Sequence, residues 1–87
     1  MENKMDTLED LVRIIRILRG ENGCPWDRVQ THASIRMDML EEAYEAADAI
    51  DKKDMKNLCE ELGDVLMQVV FHAEIETEQG GFTMGDV

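Results

Sequence analysis

The sequence is short of positive charge. Nine lysines and arginines face twenty aspartates and glutamates, a formal net charge of -11 over 87 residues. Proteins that grip a nucleic-acid backbone need clustered Lys and Arg, so that class is excluded, and binding to an anionic membrane surface goes with it. Action on phosphates survives, because divalent cations can stand between carboxylates and a phosphate. Acidity can equally serve solubility alone. No apolar run approaches the ~20 residues that cross a bilayer, and no N-terminal signal pattern is present; the cytoplasm is the expected compartment. The two cysteines, Cys24 and Cys59, have no CxxC spacing, which excludes a disulfide framework and a zinc site. Proline occurs once, and β-branched residues form no alternating runs, so a β-rich domain is excluded.

What is abundant is Leu, Met, Ala, Glu and Lys, a helical composition. A chain of this length is one domain with a modest core, for which oligomerisation is a common remedy. Three helices are expected. The first runs over 7–19, with Thr7 as N-cap and Leu8, Leu11, Val12, Ile15 and Leu18 at helical spacing. Ile14 and Ile17 widen that face enough to imply burial on two sides. Gly20 to Asp27 reads as a loop. The second helix spans 34–50 and the third 55–78, with Asp54 as N-cap. The polar turn Asp51-Lys52-Lys53 makes them an antiparallel hairpin.

The carboxylates on this hairpin are patterned. At about 100° per residue, Glu42 and Glu45 share one face of the second helix with Asp38 between them. Glu61 and Asp64 repeat the relation on the third, where Asn57, Gln68 and His72 continue the stripe. That stripe borders the apolar face Leu58, Leu62, Val65, Leu66, Val69 and Ala73, whereas solubilising charges more often point away from a core. On the second helix Leu40, Ala43, Ala47 and Ile50 form the apolar side, and Tyr44 is expected in the core. Converging carboxylates repel, and an all-oxygen, highly negative set suits Mg2+ or Mn2+. The alternative is a solvated acidic face paired with Arg13, Arg16, Arg19 and Arg36. Trp26 either caps the core or meets a ligand.

Taken together, Gly23-Cys24-Pro25-Trp26-Asp27, Gln30-Thr31-His32, Leu40-Glu41-Glu42-Ala43-Tyr44-Glu45, Glu60-Glu61-Leu62-Gly63-Asp64 and Gln68-Val69-Val70-Phe71-His72-Ala73 resemble the MazG family in order and spacing. The resemblance runs from about Leu8 to the end, and residues 1–87 are expected to form a single MazG-like domain. It implies an all-α fold whose hairpin packs into a four-helix-bundle-like homo-oligomer, a dimer or dimer of dimers. It also implies hydrolysis of a nucleoside triphosphate to monophosphate and pyrophosphate, a nucleotide-pool housecleaning activity. Carried over, Glu42, Glu45, Glu61 and Asp64 would ligate Mg2+, with Mn2+ as a substitute. Glu41 and Glu60 would be neighbouring acids, one of them a general base. Trp26 would stack on the base, with Gln30 and His32 lining the same pocket. His72 would be a hydrogen-bonded neighbour of the site rather than a ligand.

Longer members continue into a further helix with a basic K-x-x-R-R-H-P-H run. Here the chain stops at Val87, so it is expected to be a piece of a larger protein or a shortened member. Arg13, Arg16, Arg28 or a neighbouring subunit would then meet the triphosphate. The alternative function is a non-catalytic metal- and nucleotide-binding or dimerisation module that regulates a fused or partner enzyme.

Overall fold

The computed structural model describes residues 7–87 and is all-helical over them: α1 (Leu8–Leu18), α2 (Pro25–Arg28), α3 (Arg36–Asp51) and α4 (Met55–Glu78). No helix among the described residues is long and apolar enough to cross a membrane. α3 and α4 form the expected antiparallel hairpin, and α1 lies against α4.

Each start and stop has a local cause. Thr7 Oγ1 accepts from the Asp10 N–H, and Asp54 Oδ1 accepts from the Asn57 N–H, so both expected N-caps are in place. α3 begins two residues later than its periodicity suggests. The Ser34 hydroxyl is bonded to Thr31, and these two residues close a turn of their own before the helix starts. The hairpin turn is a Schellman motif: Asp54 N–H donates to Ala49 O and Lys53 N–H to Ile50 O, with Lys53 at φ 57°. α4 ends the same way, with Gly80 at φ 75°. The stretch read as a plain loop contains α2, a single turn that Pro25 opens at a position where its missing N–H costs nothing. Gly23 precedes it against the last carbonyls of α1, where a Cβ would overlap the oxygens of Ile17 and Leu18.

The core sits at one end of the hairpin. Ile15 of α1, Ile35, and Val70, Phe71 and Ile75 of α4 are buried together, with Leu11, Val12, Leu18 and Met84 packed on them. Further along, the two helices meet through Ala46 and Ala49. The register decides which face of each helix meets the other. The side of α3 turned to α4 is the stripe Glu42–Ala46–Ala49, while Leu40, Ala43, Ala47 and Ile50 turn outward and are exposed. Tyr44, expected in the core, is 81% exposed. On α4, Leu62 and Leu66 are exposed as well, and Ile17 of α1 is open on its second side.

Arg19 fastens this end. Its side chain is only 6% exposed. Nε donates to Glu78 Oε2 at 2.6 Å, and Nη1 donates to the carbonyls of Asp27 (2.7 Å) and Gln30 (3.0 Å). The guanidinium lies 5.3 Å over the Phe71 ring. Beside it Arg16 Nε donates to Glu74 Oε1 at 2.7 Å, satisfying a carboxylate that is 2% exposed.

Two stability outcomes are expected. Arg19→Lys keeps the charge but loses the fork, leaves buried carbonyls unpaired, and costs about 2 kcal/mol in urea denaturation. Lys53→Gly relieves a left-handed backbone at a lysine and raises stability by about 1 kcal/mol; an unchanged midpoint would show that the turn carries no such strain.

Candidate metal centre

Because α3 and α4 run antiparallel, each turn back along α3 faces a turn forward along α4. Glu45 meets Glu61, and Glu42 feels Asp64 across the groove. The side chains of Glu42, Glu45 and Glu61 bring one oxygen each to within 4.8 Å of one another. Asp64 stands close enough to act on Glu42 and Glu61 by its charge, but outside this triad.

The triad is electrostatically strained. The Glu45 carboxylate, set to accept from Glu61 once that group is protonated, comes first, then burial, then the charges of Glu45, Glu42 and Asp64, and together they push the Glu61 carboxyl up to about 7. Burial comes first for Glu42, followed by Glu45 and Asp64, and raises it above the ordinary carboxylate range. Oε2 of Glu42 and Oε2 of Glu61 are buried with no hydrogen-bond partner, a costly state for an acceptor. The ion pairs among the described residues lie elsewhere: Arg13–Asp10, Arg16–Glu74, Arg19–Glu78, His32–Glu76 and Lys52–Asp48. The alternative of an acidic stripe neutralised by Arg13, Arg16, Arg19 and Arg36 therefore does not hold there; Arg36 reaches only the Met37 sulfur. Convergent carboxylate oxygens, two of them orphaned, fit a hard divalent cation.

The remaining expected site residues lie towards the fastened end. His32 bonds Glu76 and His72 of α4, some 11 residues beyond Glu61, or about 16 Å along the helix. Trp26 is 60% exposed, so it does not cap the core. Gln30 Nε2 donates to Trp26 O, and Arg28 Nη1 to Glu21 O. Glu41 and Glu60 are exposed flanks of the metal-ligand candidates. Asp64 also lines a hollow of about 410 Å3 with Thr7, Leu8, Leu11, Gly63, Leu66 and Met67. His72 is hydrogen-bonded, but to His32 at the fastened end, about three turns from the triad and not beside it as expected. Glu76 went unnoticed in the sequence; its i, i+4 spacing from His72 was the available signal.

The profile of the MazG nucleotide pyrophosphohydrolase domain matches residues 30–87. The chain belongs to the MazG family. The match takes in all of the candidate metal centre and leaves α1 and α2 outside it. Among relatives, the nucleoside triphosphate pyrophosphohydrolase/pyrophosphatase MazG of Thermotoga maritima is 54% identical over 79 residues, covering 91% of this chain and 31% of that protein. The nucleoside triphosphate pyrophosphohydrolase of Escherichia coli K12 is 48% identical over 84 residues, 95% of this chain and 32% of that protein. The uncharacterized protein YabN of Bacillus subtilis is 57% identical over 74 residues, 85% of this chain and 15% of that protein. This MazG domain thus spans a third or less of the relatives it matches.

The strain gives a signed outcome. Glu61 holds its proton up to about pH 7 in the fold but to an ordinary carboxylate value when unfolded, so the folded chain binds more protons in between. Metal-free stability contributed by this group therefore rises as pH falls from about 7 towards about 4.5. A cation competes with that proton, so the rise in Tm with Mn2+ is expected to be larger at about pH 8 than at about pH 6. Glu61→Gln raises the metal-free Tm at the higher pH and shrinks the Mn2+ effect in a thermal-shift assay.

Proposed function

We propose that this chain is the metal- and nucleotide-binding domain of a Mg2+-dependent nucleoside triphosphate pyrophosphohydrolase, releasing monophosphate and pyrophosphate in cytoplasmic nucleotide-pool housecleaning. The observation that carries the reading is the set of convergent carboxylates with orphaned oxygens and no cation partner among the described residues. Family membership and the printed names of the Thermotoga and Escherichia relatives support it.

In this reading Glu42, Glu45, Glu61 and Asp64 hold the ion. When bound, Mg2+ neutralises charge on the triphosphate and orients water. Glu41 or Glu60, each exposed beside a ligand candidate, takes the proton of the attacking water in this reading. Trp26, Gln30 and His32 take the nucleoside side of the substrate, with the open indole of Trp26 as the stacking surface. Exposed Leu40, Tyr44, Leu62 and Leu66 support a homo-oligomer, since a run of apolar groups this size is unusual on a lone domain.

One observation favours a second reading, a module that binds metal and nucleotide without turnover. Arg13, Arg16 and Arg28 are all engaged elsewhere, so basic groups for the triphosphate are not gathered at the centre among the described residues.

A pyrophosphate-release assay over a panel of NTPs and dNTPs, with Mg2+ and with EDTA, separates the two. Release abolished by EDTA, and lowered on the order of 100-fold or more in Glu42→Gln and Asp64→Asn, is the expected result. Release retained in both variants would sink the enzyme reading. No release, with Mg2+ and nucleotide still raising Tm, establishes the binding module.

A further inference from the structure

At the fastened end of the hairpin three side chains form an unbroken hydrogen-bonded chain. His32 Nε2 lies 2.6 Å from Glu76 Oε2, and His32 Nδ1 lies 2.7 Å from His72 Nδ1. The ring planes are 4° apart. An ionised Glu76 only accepts, so His32 carries a proton on Nε2. The contact between the two Nδ1 atoms then requires one N–H and one lone pair. With both rings neutral, His72 Nδ1–H donates to His32 Nδ1, which leaves His72 Nε2 a bare acceptor. That atom is buried without a partner, as is Oε1 of Gln68 one turn earlier.

One additional proton is tolerated. Placed on His72 Nε2, or on His32 Nδ1 with His72 reversing its tautomer, it still leaves a single N–H between the Nδ1 atoms. A second additional proton puts an N–H on both, and the contact turns repulsive. Other charges around the chain are already engaged, apart from Asp38. Arg19 of α1 is held by Glu78 and by the carbonyls of Asp27 and Gln30. Asp86 of the C-terminal tail is bonded to Thr83. Asp38, in the first turn of α3, lies by register opposite Gln68, one turn away.

His32 sits in a segment that is internally tied. Gln30 Nε2 donates to Trp26 O at 3.0 Å, and Ser34 Oγ donates to Gln30 Oε1 at 2.7 Å. We infer that His72, through His32 and Glu76, is a positioning residue that clasps residues 24–35 against α4, setting where Trp26 and Gln30 stand, and that the clasp opens when both imidazoles are protonated. Burial and the His32 charge hold His72 below the ordinary histidine range, so opening needs more acid than an ordinary histidine would.

Trp26 is the sole tryptophan, which gives a readout independent of turnover. In the wild type, lowering the pH from about 7.5 to about 5 reduces Trp26 fluorescence anisotropy and increases acrylamide quenching. His72→Phe shows the released values already at the higher pH and does not respond to acid. His72→Asn, whose amide stands where Nδ1 was and cannot titrate, stays fastened at both. The kinetic arm rests on the proposed pyrophosphohydrolase activity: His72→Phe raises KM for the nucleotide about tenfold with kcat little changed, and His72→Asn restores it. Wild-type anisotropy in His72→Phe, or release in His72→Asn equal to that in His72→Phe, overturns the clasp. A wild type that releases no pyrophosphate would fail the proposed activity alone, because the fluorescence arms decide the clasp without it.

Discussion

Carboxylates set face to face between two helices repel one another, and the rest of the fold has to hold them there. Glu42, Glu45 and Glu61 bring their oxygens together midway along the hairpin, away from the hydrophobic cluster of the described residues. The restraint comes from the two ends. A Schellman turn closes one, and at the other Arg19 ties the tip of α1, the α2 segment and α4 over Phe71. Between them Ala46 and Ala49 are buried and small enough for the two helices to approach closely. A site built this way carries its repulsion as a standing cost that a cation removes, which fits the raised proton affinity of Glu61.

The same layout accounts for the outer surface. With the polar stripe turned inward, the apolar residues of α3 have nowhere to go but out. Leu40, Tyr44 and Ile50 are exposed on α3, as Leu62, Leu66 and Met67 are on α4. The hairpin is in effect inside out at its centre, with acids between its helices and hydrocarbon on its flanks.

Much of this was legible in the residues. Thr7 and Asp54 announced two helix starts, the spacing of Glu42, Glu45, Glu61 and Asp64 gave the acidic stripe, and the motifs pointed to the family. A helical wheel gives the angle between two faces but not which one meets the neighbouring helix. That choice depends on the register with α4, and so Tyr44 was misplaced. Arg19 looked like one basic residue among several because its partners are backbone carbonyls at Asp27 and Gln30, which carry no side-chain signature. The contact of His32 with Glu76 joins positions 44 apart in the chain, beyond any local pattern.

The turn at Lys53 has a kinetic side. All the candidate ligands sit on the two helices that this turn joins, so bringing them together closes only a short loop and needs nothing from α1. Helical hairpins form early relative to long-range docking. The oxygen cage can therefore assemble in a chain whose hydrophobic end is still open, and a cation captured at that stage would draw the hairpin shut before Arg19 has found its carbonyls. A cation held as proposed would then take part in folding as well as in chemistry.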